Sequence, residues 1–478
     1  MDFTSPSFIG FVLVAALLTQ MFSAPAGRSV VLMLASIVFI VSYVDTPLQL
    51  APLAAFLLLC FASVEWVRRQ PRTGTLGATL MLIILVFIYL KKFAFLEQAW
   101  LLPFPYLIAG LSYILFRVLH LMIDAQSGEL AGRIGPLQFF NYTCNFLTFT
   151  AGPIQRYQDY AAQQARTTTL DAQRVHAAFA RVIKGYLKVA VVSATCNYLF
   201  VTVSQRILAS GGGRFPEFQL LYLAAALFYT VYLYANFAGY MDIVIGVGWL
   251  LGQELPENFN APFTARSFLD FWARWHMTLS TWFKTYLFNP LVKALMARIP
   301  APAAAPYLGV TAFFVTFLVM GVWHGTTSVF VVYGLLMGAG ASINKLWQVQ
   351  MNSRLGKKRY RALAETLPYI YLARGLTTAY FALALTCLWT SMAQLLQLVH
   401  ALGLPGTLGG FVALTLAVAV VYFLWDRLMA LLAGTRRMLA RAAQGPLTRH
   451  LALAIQILLI VTVASFFHRS PEFVYRAF

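Results

Sequence analysis

The sequence predicts an all-α protein that crosses a membrane many times, and three observations carry that expectation. Of its 478 residues 60% are hydrophobic and only 11% are charged, where a soluble domain carries about 25% charged residues. The hydrophobic residues fall in long runs separated by short polar or basic turns, and no polar stretch is long enough to build a core of its own. Aromatic residues make up 15%, as expected where rings form interfacial belts and line cavities at membrane depth. Residues 1–478 read as one integral membrane domain, with N-terminal helices over 1–104, a core over 105–347 and closing helices over 348–478.

A helix needs about 20 residues, and at least about 17, to cross the hydrocarbon layer. The first run, 6–24, follows Asp2 without a basic leader and reads as a span rather than a cleaved signal. Runs at 29–46, 48–67, 76–90, 104–124 and 137–154 follow, then 185–208, 219–238 and 241–253. The last group is 307–323, 328–347, 368–397, 409–433 and 451–468. Short members such as 76–90 and 241–253 are expected to be re-entrant or tilted into a protein-lined cavity. The expectation is therefore about 11–14 membrane segments.

Two breaks stand out. In Phe149-Thr-Ala-Gly-Pro-Ile-Gln-Arg-Tyr157, Gly152-Pro153 cannot continue a helix. Arg156 then reads either as snorkelling from a span end or as part of a re-entrant turn. In Tyr234-Ala-Asn-Phe-Ala-Gly-Tyr-Met-Asp242, Asn236 and Asp242 are costly in so apolar a context unless paired. That stretch reads as a second broken segment. Pro256-Glu-Asn-Phe-Asn-Ala-Pro262 is a polar turn leading into the next helix.

The formal net charge of +19 fits first of all basic residues marking cytoplasmic loops beside anionic lipid, and beside that an acidic carrier protein or polyanionic substrate. Arg28, Arg68 to Arg72, Arg354 to Arg361 and Arg436 to Arg441 are the markers, and Lys91-Lys92 dissents from them. Basic residues scattered between spans exclude a nucleic-acid module. Cys60, Cys144, Cys196 and Cys387 lie far apart without a C-x-x-C, so they read as small buried hydrophobes. No internal repeat supports an inverted-repeat transporter.

Chemistry concentrates between Phe268 and Gly325. Taken as a helix, 266–287 puts Asp270, Arg274, Thr278, Thr281 and Thr285 on a polar face. His276 falls opposite, among Leu269, Trp272, Phe283 and Leu287 with Ser280 nearby, and so points into the protein. Asp270 and Arg274 form an i,i+4 pair, and Arg274 reads as contacting headgroups or a carrier. His324 lies in Gly321-Val-Trp-His-Gly325, a break between apolar runs whose glycines permit close approach. A buried neutral imidazole suits general-base work. A lone histidine on an apolar face is also an ordinary core residue, so a transferase and a transporter both stay open here. No serine-nucleophile motif, phosphate loop or metal-spaced His/Cys cluster competes.

Together Tyr234–Asp242, Pro256-Glu-Asn-Phe-Asn260, Phe271-Trp-Ala-Arg-Trp-His276, Leu279-Ser-Thr-Trp282 and Gly321-Val-Trp-His-Gly325 resemble the membrane-bound O-acyltransferases. The resemblance is to the bacterial branch of alginate O-acetyltransferases and teichoic-acid D-alanyltransferases, and covers roughly residues 105–345. Gly110-Leu-Ser-Tyr-Ile-Leu-Phe-Arg117 and Ala151-Gly-Pro-Ile-Gln-Arg156 fit it too. It implies a ring of helices around a central tunnel, with an acyl thioester entering from the cytoplasm and the acyl group passing to a hydroxyl outside. It further implies His324 as the catalytic residue and His276 as its assistant near the donor. Asn236, Asp242, Trp272, Ser280 and Trp323 are the candidate substrate-binding residues.

Asn289-Pro-Leu291 lacks a Gly-Gly common among alginate-type members, and Phe473 to Phe478 matches the branch's aromatic C-termini only loosely. The expectation is an inner-membrane enzyme of a bacterium that acetylates an envelope polysaccharide from acetyl-CoA, without bound cofactor or metal. Phe116-Arg117 and Met277 lean toward the alternative, D-alanyl transfer from the phosphopantetheine of an acyl carrier protein. A periplasmic transferase partner is a further expectation, and a glycan or lipid transporter is the rival from another class.

Overall fold

Capping side chains and first-turn prolines set where the early helices begin, and apolar length sets how far they run. The computed structural model describes residues 1, 3, 5–22, 24–130, 132–164, 170–209, 217–434 and 445–467. The basic cluster Arg436 to Arg441 and the terminus Phe473 to Phe478 lie outside these. Helix α1 (Pro6–Met21) starts where Ser5 Oγ accepts the Phe8 N–H at 3.2 Å, satisfying one of the donors a helix start leaves open. Helices α2 (Pro25–Val41) and α3 (Ala51–Arg69) carry proline in their first turn, where the missing N–H costs nothing. Helix α4 is Thr73–Leu90. Among the described residues regular structure is entirely helical. Among the described residues eight helices are long and apolar enough to cross a membrane, and three shorter apolar ones accompany them. The protein is an all-α, multi-pass membrane protein.

The chain forms two compact units, one of Met1–Tyr186 with Gly239–Glu257, the other of Leu187–Ala238 with the described residues from Asn258 onward. In the first unit α5 (Leu111–Ser127) is buried along nearly its whole length. Its Arg117 is 2% exposed and donates to the carbonyls of Thr143 and Thr148, each at 2.6 Å. Those bonds explain a departure from the expected span at 137–154. Helix α6 (Pro136–Thr143) is only 8 residues long, and the chain runs on irregularly to α7 (Tyr157–Gln164). Irregular backbone at membrane depth needs internal partners, and the buried guanidinium supplies two. Arg156 does not snorkel freely: it pairs with Glu129 at 2.8 Å and Asp124 at 3.4 Å. Lys91, the dissenting charge, is buried at the end of α4, its Nζ donating to Ser112 Oγ at 2.8 Å. It is a packed polar contact rather than a loop charge.

The expected break at Tyr234–Asp242 is absent. Helix α8 is Ala172–Leu187, α9 is Ala194–Ala209, and α10 (Glu217–Leu250) runs unbroken for 34 residues through both apolar runs. Neither 219–238 nor 241–253 is a separate segment. The cost that argued for a break is met by an ion pair from α8, with Arg181 Nε at 3.2 Å and Lys184 Nζ at 4.0 Å from the Asp242 carboxylate.

The second unit continues with α11 (Phe268–Trp272), α12 (Met277–Phe283), α13 (Asn289–Arg298), α14 (Ala305–His324) and α15 (Val329–Ala364). It closes with α16 (Leu367–Ala384), α17 (Thr386–Trp389), α18 (Met392–Leu431) and α19 (Pro446–Phe467). On α18 Leu404, Leu408, Val412, Leu416 and Val420 form an exposed stripe at i,i+4 spacing. An apolar face turned outward is costly in water and natural in lipid. Helices α14 and α15 cross at two glycines. A Cβ on Gly321 would run into the Cα and N of Gly334, so only glycine lets the two backbones approach this closely.

Candidate active site

The 266–287 segment is not one helix. Ser267 starts α11 by accepting the Asp270 N–H at 3.1 Å, and the helix lasts 5 residues. Helix α12 begins after His276, which adopts a left-handed backbone with φ 43° and ψ 53°, a conformation that strains a residue carrying a Cβ. Periodicity alone could not see this bend, because aromatic packing from other helices enforces it. Phe271 lies 4.4 Å and Trp275 5.0 Å from Phe381 of α16, ring centre to ring centre. Trp272 packs 5.1 Å from Phe317 of α14. Asn344 of α15 accepts the Leu269 N–H at 3.3 Å.

The polar turn before α11 folds back on this bend. Met277 N donates to the Asn258 carbonyl at 2.9 Å, and Asn260 N to the Arg274 carbonyl at 2.9 Å. The Asn258 side-chain oxygen receives the Thr278 N–H at 3.1 Å and the Thr278 hydroxyl at 2.9 Å, and lies 3.2 Å from His276 Nδ1. Thr278, expected on a polar outer face, is therefore buried and engaged. Arg274 is half-buried and tied to Asp270 at 2.8 Å, so it braces the turn.

His276 is 1% exposed and His324 4%. Phe237 of α10 packs edge-on against His276 at 4.9 Å. Burial, reinforced by the neighbouring His324, holds the His276 imidazole well below the usual histidine range, because a charged ring loses its hydration there. The ring is neutral at neutral pH. His324 ends α14 with Trp323 4.8 Å and Tyr333 5.5 Å from its ring. The next residue, Gly325, has an extended backbone; a Cβ there would overlap the Phe330 ring.

Of the other candidates, Trp272 and Ser280 line a pocket of about 170 Å³. Leu269, Phe283, Phe313 and Met320 are part of its apolar wall, and Lys284 and Thr316 add polar atoms. Met320 is one turn before His324 on α14, and Trp272 Nε1 is buried without a hydrogen-bond partner. Asn236 is buried beside Phe237 in the same unit as the two histidines. Asp242 belongs to the other unit, where Arg181 and Lys184 engage it. Among the described residues no group of three or more His, Cys, Asp or Glu could hold a metal.

The chain has counterparts among known proteins. The model of the membrane-bound O-acyltransferase family matches residues 48–364, and the chain belongs to that family. It is similar to the teichoic acid D-alanyltransferase of Bacillus subtilis, 30% identical over 47% of this chain and 56% of that protein. It is also similar to the probable alginate O-acetylase of Pseudomonas syringae, 30% identical over 49% of this chain and 42% of that protein. The similarity to the probable alginate O-acetylase of Pseudomonas aeruginosa is 27% identity over 74% of this chain and 68% of that protein. The first two matches thus span about half the length of those relatives.

Sequence reasoning missed Asn258 and Thr278. Asn258 lay in view inside the Pro256–Pro262 turn, and an asparagine between prolines ahead of a histidine was the available signal.

Proposed function

We propose that this protein is an O-acyltransferase of a bacterial cytoplasmic membrane that moves acetyl from acetyl-CoA onto hydroxyls of an envelope polysaccharide. The observation that carries the reading is the pair of buried histidines, one held neutral, in the unit that also holds the small apolar pocket. His324 takes the proton of the acceptor hydroxyl as its oxygen attacks the thioester carbonyl. The new C–O bond forms, the C–S bond breaks, and the leaving thiolate regains one proton, so none is lost overall. His276 orients the thioester or its thiol; Trp272, Ser280, Trp323 and Asn236 shape the space around the acyl group, and Asp242 holds α10 in place. No cofactor stays bound. A periplasmic partner completes delivery to the polymer, and membrane lipid surrounds the whole.

A second reading, D-alanyl transfer from an acyl carrier protein, is favoured by the 30% and 31% identities to teichoic acid D-alanyltransferases. Membranes bearing the wild type or His324→Ala, given labelled acetyl-CoA or D-alanyl carrier protein, distinguish the two. Label should reach the polymer from one donor and fall by at least about a hundredfold in the variant. Transfer undiminished in His324→Ala would overturn the role of His324. No histidine-dependent transfer from either donor would favour the transporter.

A further inference from the structure

We infer that Asn258 is a positioning residue that fixes His276 in a single tautomer, with the proton on Nδ1 and the lone pair on Nε2. The inference rests on the proposed acyl transfer for its purpose, but its geometry stands alone. Which way an asparagine amide points is ordinarily ambiguous; here Thr278 decides it. A backbone N–H can only donate, so the Asn258 atom 3.1 Å from Thr278 N must be the oxygen. That same oxygen lies 3.2 Å from His276 Nδ1. An acceptor facing Nδ1 requires a hydrogen there, and the neutral ring then keeps its lone pair on Nε2.

The identity of the acceptor matters as much as its position. A carboxylate at this place would also hold the Nδ1 hydrogen, as in the familiar serine-protease arrangement, but would favour the imidazolium. A carboxamide orients the ring without a charge, and keeps it an unprotonated base or acceptor. The neighbouring His324 also disfavours a second proton on His276. Phe237 and the left-handed backbone at His276 hold the ring plane while Asn258 selects the nitrogen.

Histidine-labelled protein (nitrogen-15) in lipid bilayers tests this directly, the His276 signal being identified by its loss in His276→Gln. The expected wild-type spectrum has one His276 species at neutral pH, protonated at Nδ1 and bare at Nε2. Asn258→Asp retains an oxygen for Thr278 and for Nδ1; it should keep the tautomer but move the ring's protonation to higher pH. Asn258→Leu should give mixed tautomers and, with unchanged KM, lower kcat about tenfold to a hundredfold. A wild-type ring protonated at Nε2 overturns the proposal. So does an Asn258→Asp protein whose His276 titrates as in the wild type, since Asn258 would then only cap the turn. If the acyl-transfer reading is wrong, the kinetic arm is silent while the spectra still decide the tautomer.

Discussion

Alanine at Gly321 and alanine at Gly309 place the same added methyl on one helix, α14, with opposite surroundings. At Gly309 a Cβ meets nothing within 4 Å, whereas at Gly321 it would overlap the backbone of Gly334. Backbone atoms in a packed helix pair cannot swing aside as a flexible side chain can, so α14 and α15 would have to separate. Overpacking of this kind costs about 1–3 kcal/mol, while alanine for glycine at an open helical position gains up to about 1 kcal/mol. The two variants should therefore differ by about 1–4 kcal/mol. At about 2–4 °C per kcal/mol for a unit of a few hundred residues, Gly321→Ala should melt roughly 2–12 °C below the wild type. Gly309→Ala should match or exceed it. Detergent-solubilised protein followed by thermal unfolding reads both. Because His324 follows Gly321 by three residues on α14, Gly321→Ala should also lose the proposed acyl transfer at temperatures where it is still folded. Equal melting of the two variants would refute the backbone-contact reasoning.

Two further outcomes are expected. Arg181→Ala removes the 3.2 Å guanidinium partner of the Asp242 carboxylate, which is 8% exposed; stability should drop by about 3 kcal/mol, measured by the same melts, and Asp242→Asn in the same background should recover part of it. The depressed His276 also makes stability pH-dependent. Above the ordinary histidine value of about 6.5 the ring is neutral folded or unfolded and contributes nothing. Below it the unfolded chain takes a proton that the folded ring refuses, so stability should fall from about pH 6.5 downward, and His276→Gln should flatten part of that slope.

Composition and run length were enough to read the helical, many-pass class, because the apolar content answers directly to the solvent around it. The local breaks were harder. Tyr234–Asp242 reads as a broken segment because the partner of Asp242, Arg181, is distant in sequence. Residues 137–154 looked like a span because the sequence does not show that Arg117 will satisfy its carbonyls. The two histidines were legible through the motifs around them. The bend at His276 was not, since it is imposed by Phe381 and Phe317 from later helices. Asn258 was visible as a turn residue, yet its contact with Nδ1 depends on that bend.

The left-handed backbone at His276 sets selection for folding against selection for chemistry at one position. Glycine and asparagine adopt such a conformation at lower cost than histidine. A library randomised at residue 276 and sorted for yield of folded protein should enrich glycine and asparagine, and one sorted for the proposed acyl transfer should return histidine. β-Branched residues should be depleted from both, since they tolerate neither the backbone nor the chemistry. The divergence of the two pools would measure how much stability the protein gives up to keep an imidazole at the joint between two short helices.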